Sequence, residues 1–292
     1  MKVLILGAGG MLGHKVWQVF RDRFDCRATL RARPPLPIFD DDRVIDGVDA
    51  TDFEAVKTLI ETISPAVVVN CVGVVKQLAA AHDPITSITL NALFPHIVAR
   101  ACEAVGARLI HISTDCVFSG LRGNYTESAP PDPTDLYGRS KLLGEVTASS
   151  EPKPLTIRTS IIGRELRTSN GLVEWFLANR GGFVRGFARA VFSGVTTTVF
   201  AGMLADVIEH HSDLHGLYHV AAAPVSKYDL LLMVNEAIAG EVTITADESV
   251  VIDRSLDASR FQTATGILPP SWPEMIATLA AESPQYDRWR KA

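Results

Sequence analysis

The sequence is short of the features that mark several large classes of protein. It has four cysteines, Cys26, Cys71, Cys102 and Cys116, widely scattered and without a C-x-x-C pair. That spacing excludes a disulfide scaffold and a zinc ribbon, and it leaves reduced, mostly buried thiols in the cytosol as the expectation. No H-E-x-x-H occurs among the eight histidines, and His210, His211, His215 and His219 fall at an expected helix end, loop and strand, so no metal site is expected. No apolar run is long enough to span a bilayer. Met1-Lys2 passes directly into a short run, Val3-Leu4-Ile5-Leu6, without the length of a signal segment, which again points to a cytoplasmic protein. The formal net charge of −5 gives no electrostatic reason to expect nucleic acid or a membrane surface as partner. There is no internal repeat and no low-complexity stretch. What remains is an ordinary globular composition, 47% hydrophobic and 21% charged over 292 residues, enough for a sizeable core and longer than one typical domain.

The first positive signal is at the start. The Val3-Leu4-Ile5-Leu6 run reads as a buried strand of a parallel sheet. It leads into Gly7-Ala8-Gly9-Gly10-Met11-Leu12-Gly13. The spacing G-x-G-x-x-G fails because Leu12 stands where the third glycine belongs, whereas G-x-x-G-x-x-G fits through Gly7, Gly10 and Gly13. Glycines there permit a tight strand-to-helix turn and a close approach of backbone N–H groups to a pyrophosphate. A second strand, near 26–30, ends at Arg31 and Arg33 with no carboxylate before Asp40. Guanidinium groups suit a ribose 2′-phosphate, so NADP is favoured over NAD; the alternative is a solvated loop before Pro34-Pro35. Asp49, after the next short strand, either reaches the adenine edge or is an exposed turn residue.

A strand over 66–70 ends at Cys71-Val72-Gly73-Val74, where the strand order of such a sheet reverses and small residues can pack on a cofactor. A long helix over 84–105 and a strand over 108–112 follow. That strand delivers Ser113-Thr114-Asp115-Cys116-Val117-Phe118 to the same edge, and no G-x-S-x-G surrounds Ser113 to make it a nucleophile. After a loop over 119–136 come Tyr137 and Lys141, four apart. On a helix they share one face, and an ammonium near a phenol favours the phenolate, an arrangement suited to moving a proton to or from a carbonyl or alcohol oxygen. Residues 155–160 read as a sixth strand. Beyond them the rhythm breaks into a helix over 171–179, a strand over 188–192, a helix over 197–210, a strand over 216–222, a helix over 226–239 opened by Ser226, and a final short helix.

Three of these stretches together resemble the extended short-chain dehydrogenase/reductase superfamily, and most closely the dTDP-4-dehydrorhamnose reductase family of nucleotide-sugar reductases. They are Gly7-x-x-Gly10-x-x-Gly13, Ser113-Thr114-Asp115-Cys116-Val117-Phe118 and Tyr137-Gly138-x-x-Lys141-x-x-Gly144-Glu145, supported by Arg158-Thr159-Ser160, Gly216-x-Tyr218-His219 and Leu256-Asp257-x-x-x-Phe261. The resemblance implies an α/β fold: a Rossmann-type doubly wound parallel sheet with a smaller, irregular C-terminal substrate lobe. The NAD(P)-binding domain would span 1–160, with returning elements at about 188–222, and the substrate lobe 161–187 and 223–292. It implies NAD(P)H-dependent reduction of the 4-keto group of a nucleotide-linked 6-deoxy sugar. Thr114, Tyr137 and Lys141 would be catalytic: Tyr137 protonates the nascent alkoxide, Thr114 hydrogen-bonds it, and Lys141 holds the nicotinamide ribose and tunes Tyr137. Gly10, Met11 and Leu12 would meet the pyrophosphate, Asp49 and Ala50 the adenine, and Cys71, Val72 and Gly73 the cofactor, with Val74 facing the substrate. A homodimer is compatible with the resemblance.

Two positions depart from the family pattern. Cys116 stands where the family has tyrosine, and Ile161 where an aromatic often follows Arg-Thr-Ser; both would lie near the sugar, so the rhamnose precursor is less certain than the chemistry. The related 4,6-dehydratases carry Thr-Asp-Glu, and Thr-Asp-Cys lacks that glutamate, which disfavours dehydration. The alternatives are an epimerase of the same superfamily, which would retain NAD, and a non-catalytic regulatory subunit like that of methionine adenosyltransferase.

Overall fold

The first strands, Lys2–Leu6 and Val67–Asn70 above all, are short apolar runs that burial on both faces of a parallel sheet selects. In the computed structural model, which describes residues 1–76, 82–147 and 151–291, they are β1 (Lys2–Leu6), β2 (Asp25–Thr29), β3 (Val44–Ile45), β4 (Val67–Asn70), β5 (Arg108–Thr114) and β6 (Leu155–Thr159). With the Gly216–His219 strand they form one seven-stranded sheet in the order Gly216–His219, β6, β5, β4, β1, β2, β3. Every pairing is parallel. Alternation along β1 sorts the two cores: Val3 and Ile5 join the cluster beneath the Gly13–Phe20 and Thr197–His210 helices, while Leu4 and Leu6 pack under the Phe53–Ile63 and Phe94–Val105 helices. The order reverses between β1 and β4, so their carboxyl ends part there and leave a crevice.

The helix expected over 84–105 is continuous but not uniform. A π-turn, Ile88–Leu93, separates the Pro84–Ser87 and Phe94–Val105 segments and turns Asn91 inward. The expected helices over 197–210 and 226–239 form, the latter opened by Ser226, whose hydroxyl accepts from the Asp229 N–H.

The C-terminal third departs from expectation in two respects. The strand expected over 188–192 forms at Ala190–Phe192 but does not return to the main sheet; it pairs with Val225–Ser226 and Ile252–Asp253. The edge beside β6 is already taken by Gly216–His219, so this strand must find partners elsewhere. The final helix is long: it runs over Trp272–Lys291, 20 residues, with Pro284 inside. An interior proline costs a helix about 3 kcal/mol. Burial of Met275, Ile276, Leu279 and Tyr286 along the inner side offsets that cost. A parallel pair, Phe183–Phe187 with Thr243–Asp247, and a helix at Ser259–Thr265 complete the region. No described helix is long and apolar enough to cross a membrane.

Candidate active site

The carboxyl ends of β1, β4, β5 and β6 surround a cavity of about 270 Å³. Its wall is made of Gly10, Met11 and Leu12 after β1, Asn70 and 71–76 around the end of β4, Ser113, Thr114, Asp115 and Cys116 from β5 and the turn after it, and Thr159, Ser160 and Ile161 after β6; Tyr137 and Lys141 enter from the Leu136–Leu143 helix. Of the expected site residues, Gly10, Met11, Leu12, Cys71, Val72, Gly73, Val74, Thr114, Cys116, Tyr137, Lys141 and Ile161 therefore meet in one place. Gly7, Gly13, Arg31, Arg33, Asp49 and Ala50 lie outside its wall.

Gly7 and Gly13 act within the turn. Gly7 has φ +84°, and a Cβ on Gly13 would stand 2.1 Å from the Gly7 carbonyl oxygen, so the helix meets the strand end only because both are glycine. Gly10 has no such internal duty, since a Cβ there would meet nothing nearer than 3.7 Å. Within the turn the Gly10 N–H donates to the Gly7 carbonyl at 3.3 Å, and no described residue accepts from the N–H groups of Met11 and Leu12. An open glycine beside two unspent N–H donors at a helix start fits a dinucleotide pyrophosphate.

Arg33 does not serve as expected. Its guanidinium donates to the carbonyls of Phe39, at 3.0 Å, and Val44, which ties it into its own loop. Arg31 is exposed at the end of β2, and its charge acts on Asp49. The Asp49 carboxylate accepts from the N–H and hydroxyl of Thr51, both at 2.8 Å, which makes it first a turn residue.

The Leu136–Leu143 helix is seated by the two glycines of its motif. A Cβ on Gly138 would fall 2.2 Å from the Cys116 carbonyl oxygen, and one on Gly144 would fall 1.9 Å from that of Asn91. Asp135 caps the helix by accepting from the Gly138 N–H at 2.8 Å, and the Lys76 ammonium reaches the same carboxylate at 2.7 Å. This seating puts Tyr137 beside Thr114 and Cys116. The Thr114 hydroxyl accepts from the Cys116 N–H at 3.1 Å and donates to Asp115 at 3.1 Å.

Lys141 is buried, and its ammonium donates to the Ile112 carbonyl at 2.6 Å. Burial pushes its pKa down to about 8, against the opposing pull of Glu145 and Cys71. The Tyr137 phenol is pushed up by burial, then by Cys116, with Thr114 favouring ionisation. The Lys141 ammonium, donating to Ile112, makes no hydrogen bond to the Tyr137 phenol among the described residues. It faces Gly73 instead, where a Cβ would lie 4.0 Å from it.

Three further sets of contacts lie beyond what sequence spacing specifies. The Asn91 side chain, set inward by the π-turn, accepts from the Val74 N–H at 2.9 Å and donates to the Val74 carbonyl at 3.1 Å and the Ser140 hydroxyl at 3.2 Å. One amide thus links the β4 end to the Leu136–Leu143 helix, and its only sequence signal is a polar residue in an apolar helical run. Glu145 takes both nitrogens of a bidentate Arg158, each at 2.7 Å, and the Ser113 hydroxyl at 2.7 Å. Arg254 backs Cys116, with Nη1 3.8 Å from the sulfur and Nε donating to the Phe118 carbonyl at 2.8 Å. Burial pushes the Cys116 thiol up to about 12, so it is neutral. All four cysteines are free thiols. Among the described residues no group of His, Cys, Asp or Glu gathers as a metal site.

Comparison with known proteins agrees with this geometry. A dTDP-4-dehydrorhamnose reductase from Aggregatibacter actinomycetemcomitans is 26% identical over 303 residues, covering 96% of this chain and 98% of its own. The methionine adenosyltransferase 2 subunit beta of Rattus norvegicus is 36% identical over 148 residues, but this covers 49% of the chain and 41% of the relative. Among solved structures, a dTDP-4-dehydrorhamnose reductase from Bacillus anthracis in complex with NADP superposes with a TM-score of 0.79 at 24% identity, covering 97% of this chain and 99% of that one. The model of the RmlD substrate binding domain family matches residues 1–283. With that match across nearly its whole length, the chain belongs to the RmlD substrate binding domain family.

Proposed function

We propose that the protein is an NAD(P)H-dependent reductase of the 4-keto group of a nucleotide-linked 6-deoxy sugar, with NADPH as the preferred donor. The observation that carries this reading is the convergence of Thr114, Tyr137 and Lys141 on the cavity floored by the Gly10–Leu12 turn. The bound dinucleotide supplies the hydride. The chain manages position and charge. Met11 and Leu12 offer N–H groups to the pyrophosphate, Gly73 gives the cofactor a smooth wall, and Lys141 reaches the nicotinamide ribose across it. The Tyr137 phenol, kept protonated by burial, hands its proton to the oxygen that becomes the alcohol, and Thr114 hydrogen-bonds that oxygen as charge develops. Arg31 supports NADPH by its place at the end of β2, and Arg33 is withdrawn from that role. Residues 161–187 and 223–292 form the lobe that holds the nucleotide sugar, with Ile161, Val74 and Cys116 at the sugar end. The scattered free thiols fit a cytoplasmic setting.

The test is turnover. The purified protein is expected to oxidise NADPH with at least one of a panel of 4-keto-6-deoxy nucleotide sugars, and Tyr137→Phe to lower kcat by about 100-fold or more while NADPH still binds. No turnover with any sugar, or full activity in Tyr137→Phe, would sink the reading.

A further inference from the structure

The phosphate-binding turn is held from the far end of the chain. His14, fully buried on the Gly13–Phe20 helix, makes two ring contacts: Nδ1 with the Gly10 carbonyl at 2.8 Å, and Nε2 with the Tyr286 hydroxyl at 2.6 Å. A carbonyl only accepts, so Nδ1 carries the hydrogen. Burial pushes the imidazole pKa down to about 3, so the ring is neutral and Nε2 is an acceptor. Tyr286 therefore donates to His14, and His14 donates to Gly10. Only one tautomer satisfies both bonds.

The direction of that carbonyl matters for the cavity. The peptide unit joining Gly10 to Met11 is planar and trans, so its C=O and N–H point opposite ways. The Gly10 oxygen is held toward the helix twice, by the His14 N–H at 3.1 Å and by the imidazole. The N–H of Met11 is thereby turned away from the helix, on the residue pair that lines the cavity. Tyr286 is itself immobilised: it is fully buried, its ring meets Trp289 edge-on at 5.2 Å, and the Lys15 and Arg164 cations lie 5.0 and 5.3 Å from its centroid. A separate ion pair on the same two helices, Lys15 with Glu282 at 2.7 Å, joins them without touching the turn.

We propose that Tyr286 is a positioning residue for dinucleotide binding, acting through His14 to hold the Gly10–Met11 peptide with its N–H directed at the cofactor pyrophosphate. This rests on the dinucleotide-dependent function proposed above. The long C-terminal helix then has a task beyond packing. It sets the donor geometry of a turn near the other end of the chain, through a residue, His14, that lies 272 positions away in sequence.

The experiment uses the full chain with Tyr286→Phe, which removes one hydroxyl from a buried ring, and Glu282→Gln, which removes the ion pair from the same helix. NADPH affinity is read by protein-fluorescence quenching, beside KM for each substrate, kcat and Tm. Tyr286→Phe is expected to raise Kd and KM for NADPH about fivefold, the worth of one hydrogen bond, with kcat and the sugar KM unchanged. Glu282→Gln is expected to lower Tm and leave Kd for NADPH as in the parent. Equal NADPH affinity in Tyr286→Phe and the parent would overturn the proposal while leaving the reductase reading intact. An equal loss of affinity in Glu282→Gln would also overturn it, by making the effect one of general helix loosening. A parent protein that binds no NADPH would remove both readings together.

Discussion

Glu145 is the residue whose replacement should separate stability from chemistry most clearly. Its carboxylate takes Nε and Nη2 of Arg158 and the Ser113 hydroxyl, all at 2.7 Å, and the Glu145 and Arg158 side chains are 7% and 3% exposed. Glu145→Gln keeps the volume and one acceptor but removes the counter-charge of Arg158, whose other neighbours include a His219 ring nitrogen at 3.5 Å and the face of Phe118 at 5.1 Å. Breaking one side of a buried pair costs about 3 kcal/mol or more, because the remaining charge stays buried without its counter-charge. For a chain of this size that lowers Tm by roughly 6 °C. The same carboxylate is the strongest influence holding the Lys141 pKa up against burial. Without it Lys141 loses its proton below its present value of about 8, so the alkaline fall in kcat/KM moves to lower pH. Thermal unfolding and a pH–rate profile read the two effects separately. Ser113→Ala serves as control, since it removes one neutral donor, costs about 1 kcal/mol and leaves the alkaline limb in place. An unchanged Tm would refute the burial argument, and an unmoved alkaline limb would refute the coupling between Glu145 and Lys141.

Two further outcomes follow from the same structure. Arg31→Ala is expected to reduce the preference for NADPH over NADH in kcat/KM about tenfold, the loss of one charge-assisted contact, whereas Arg33→Ala should leave the preference alone and lower Tm by freeing the carbonyls it binds. Stability should fall as pH drops from 6.5 toward 4, measured as the urea midpoint. His14 and His219 are held neutral by burial with pKa values lowered to about 3 and about 4, so the unfolded chain binds the extra protons in that window; a flat midpoint there would contradict the buried, neutral assignment.

The parts of the fold and site that could be read in advance are those whose geometry is set by neighbouring residues. The strand, glycine turn and helix at residues 2–20 need only local backbone freedom and a run of apolar side chains. The spacing from Tyr137 to Glu145 is likewise local, and it falls on and just after the Leu136–Leu143 helix, whose two motif glycines pack against Cys116 and Asn91. What escaped depends on distant partners. Nothing near Asn91 announces that its amide will clasp Val74, and nothing near His14 announces Tyr286. Arg33 has the right charge and the right place along the chain, yet the carbonyls of residues 39 and 44 curl back and claim it. The strand at Ala190–Phe192 was visible as a strand; its sheet was not, because Gly216–His219 competes for the same edge from later in the chain.

The site divides its duties between these two kinds of feature. On the proposed function, proton transfer falls to Tyr137, whose position follows from the backbone seats at Cys116 and Asn91, and those seats tolerate only glycine at 138 and 144. Residue 116 offers the opposite case. Its carbonyl seats the Leu136–Leu143 helix, whereas its side chain, on a residue that lines the cavity, takes no part in that seat. The backbone can therefore be preserved while the side chain changes, and here it is a small neutral thiol backed by a guanidinium rather than an aromatic ring. On the proposed function, the main chain of this residue serves the chemistry and its side chain the choice of substrate. This lets one fold keep its reduction while its sugar differs, and it places the substrate question at Cys116 and Arg254 rather than at Tyr137.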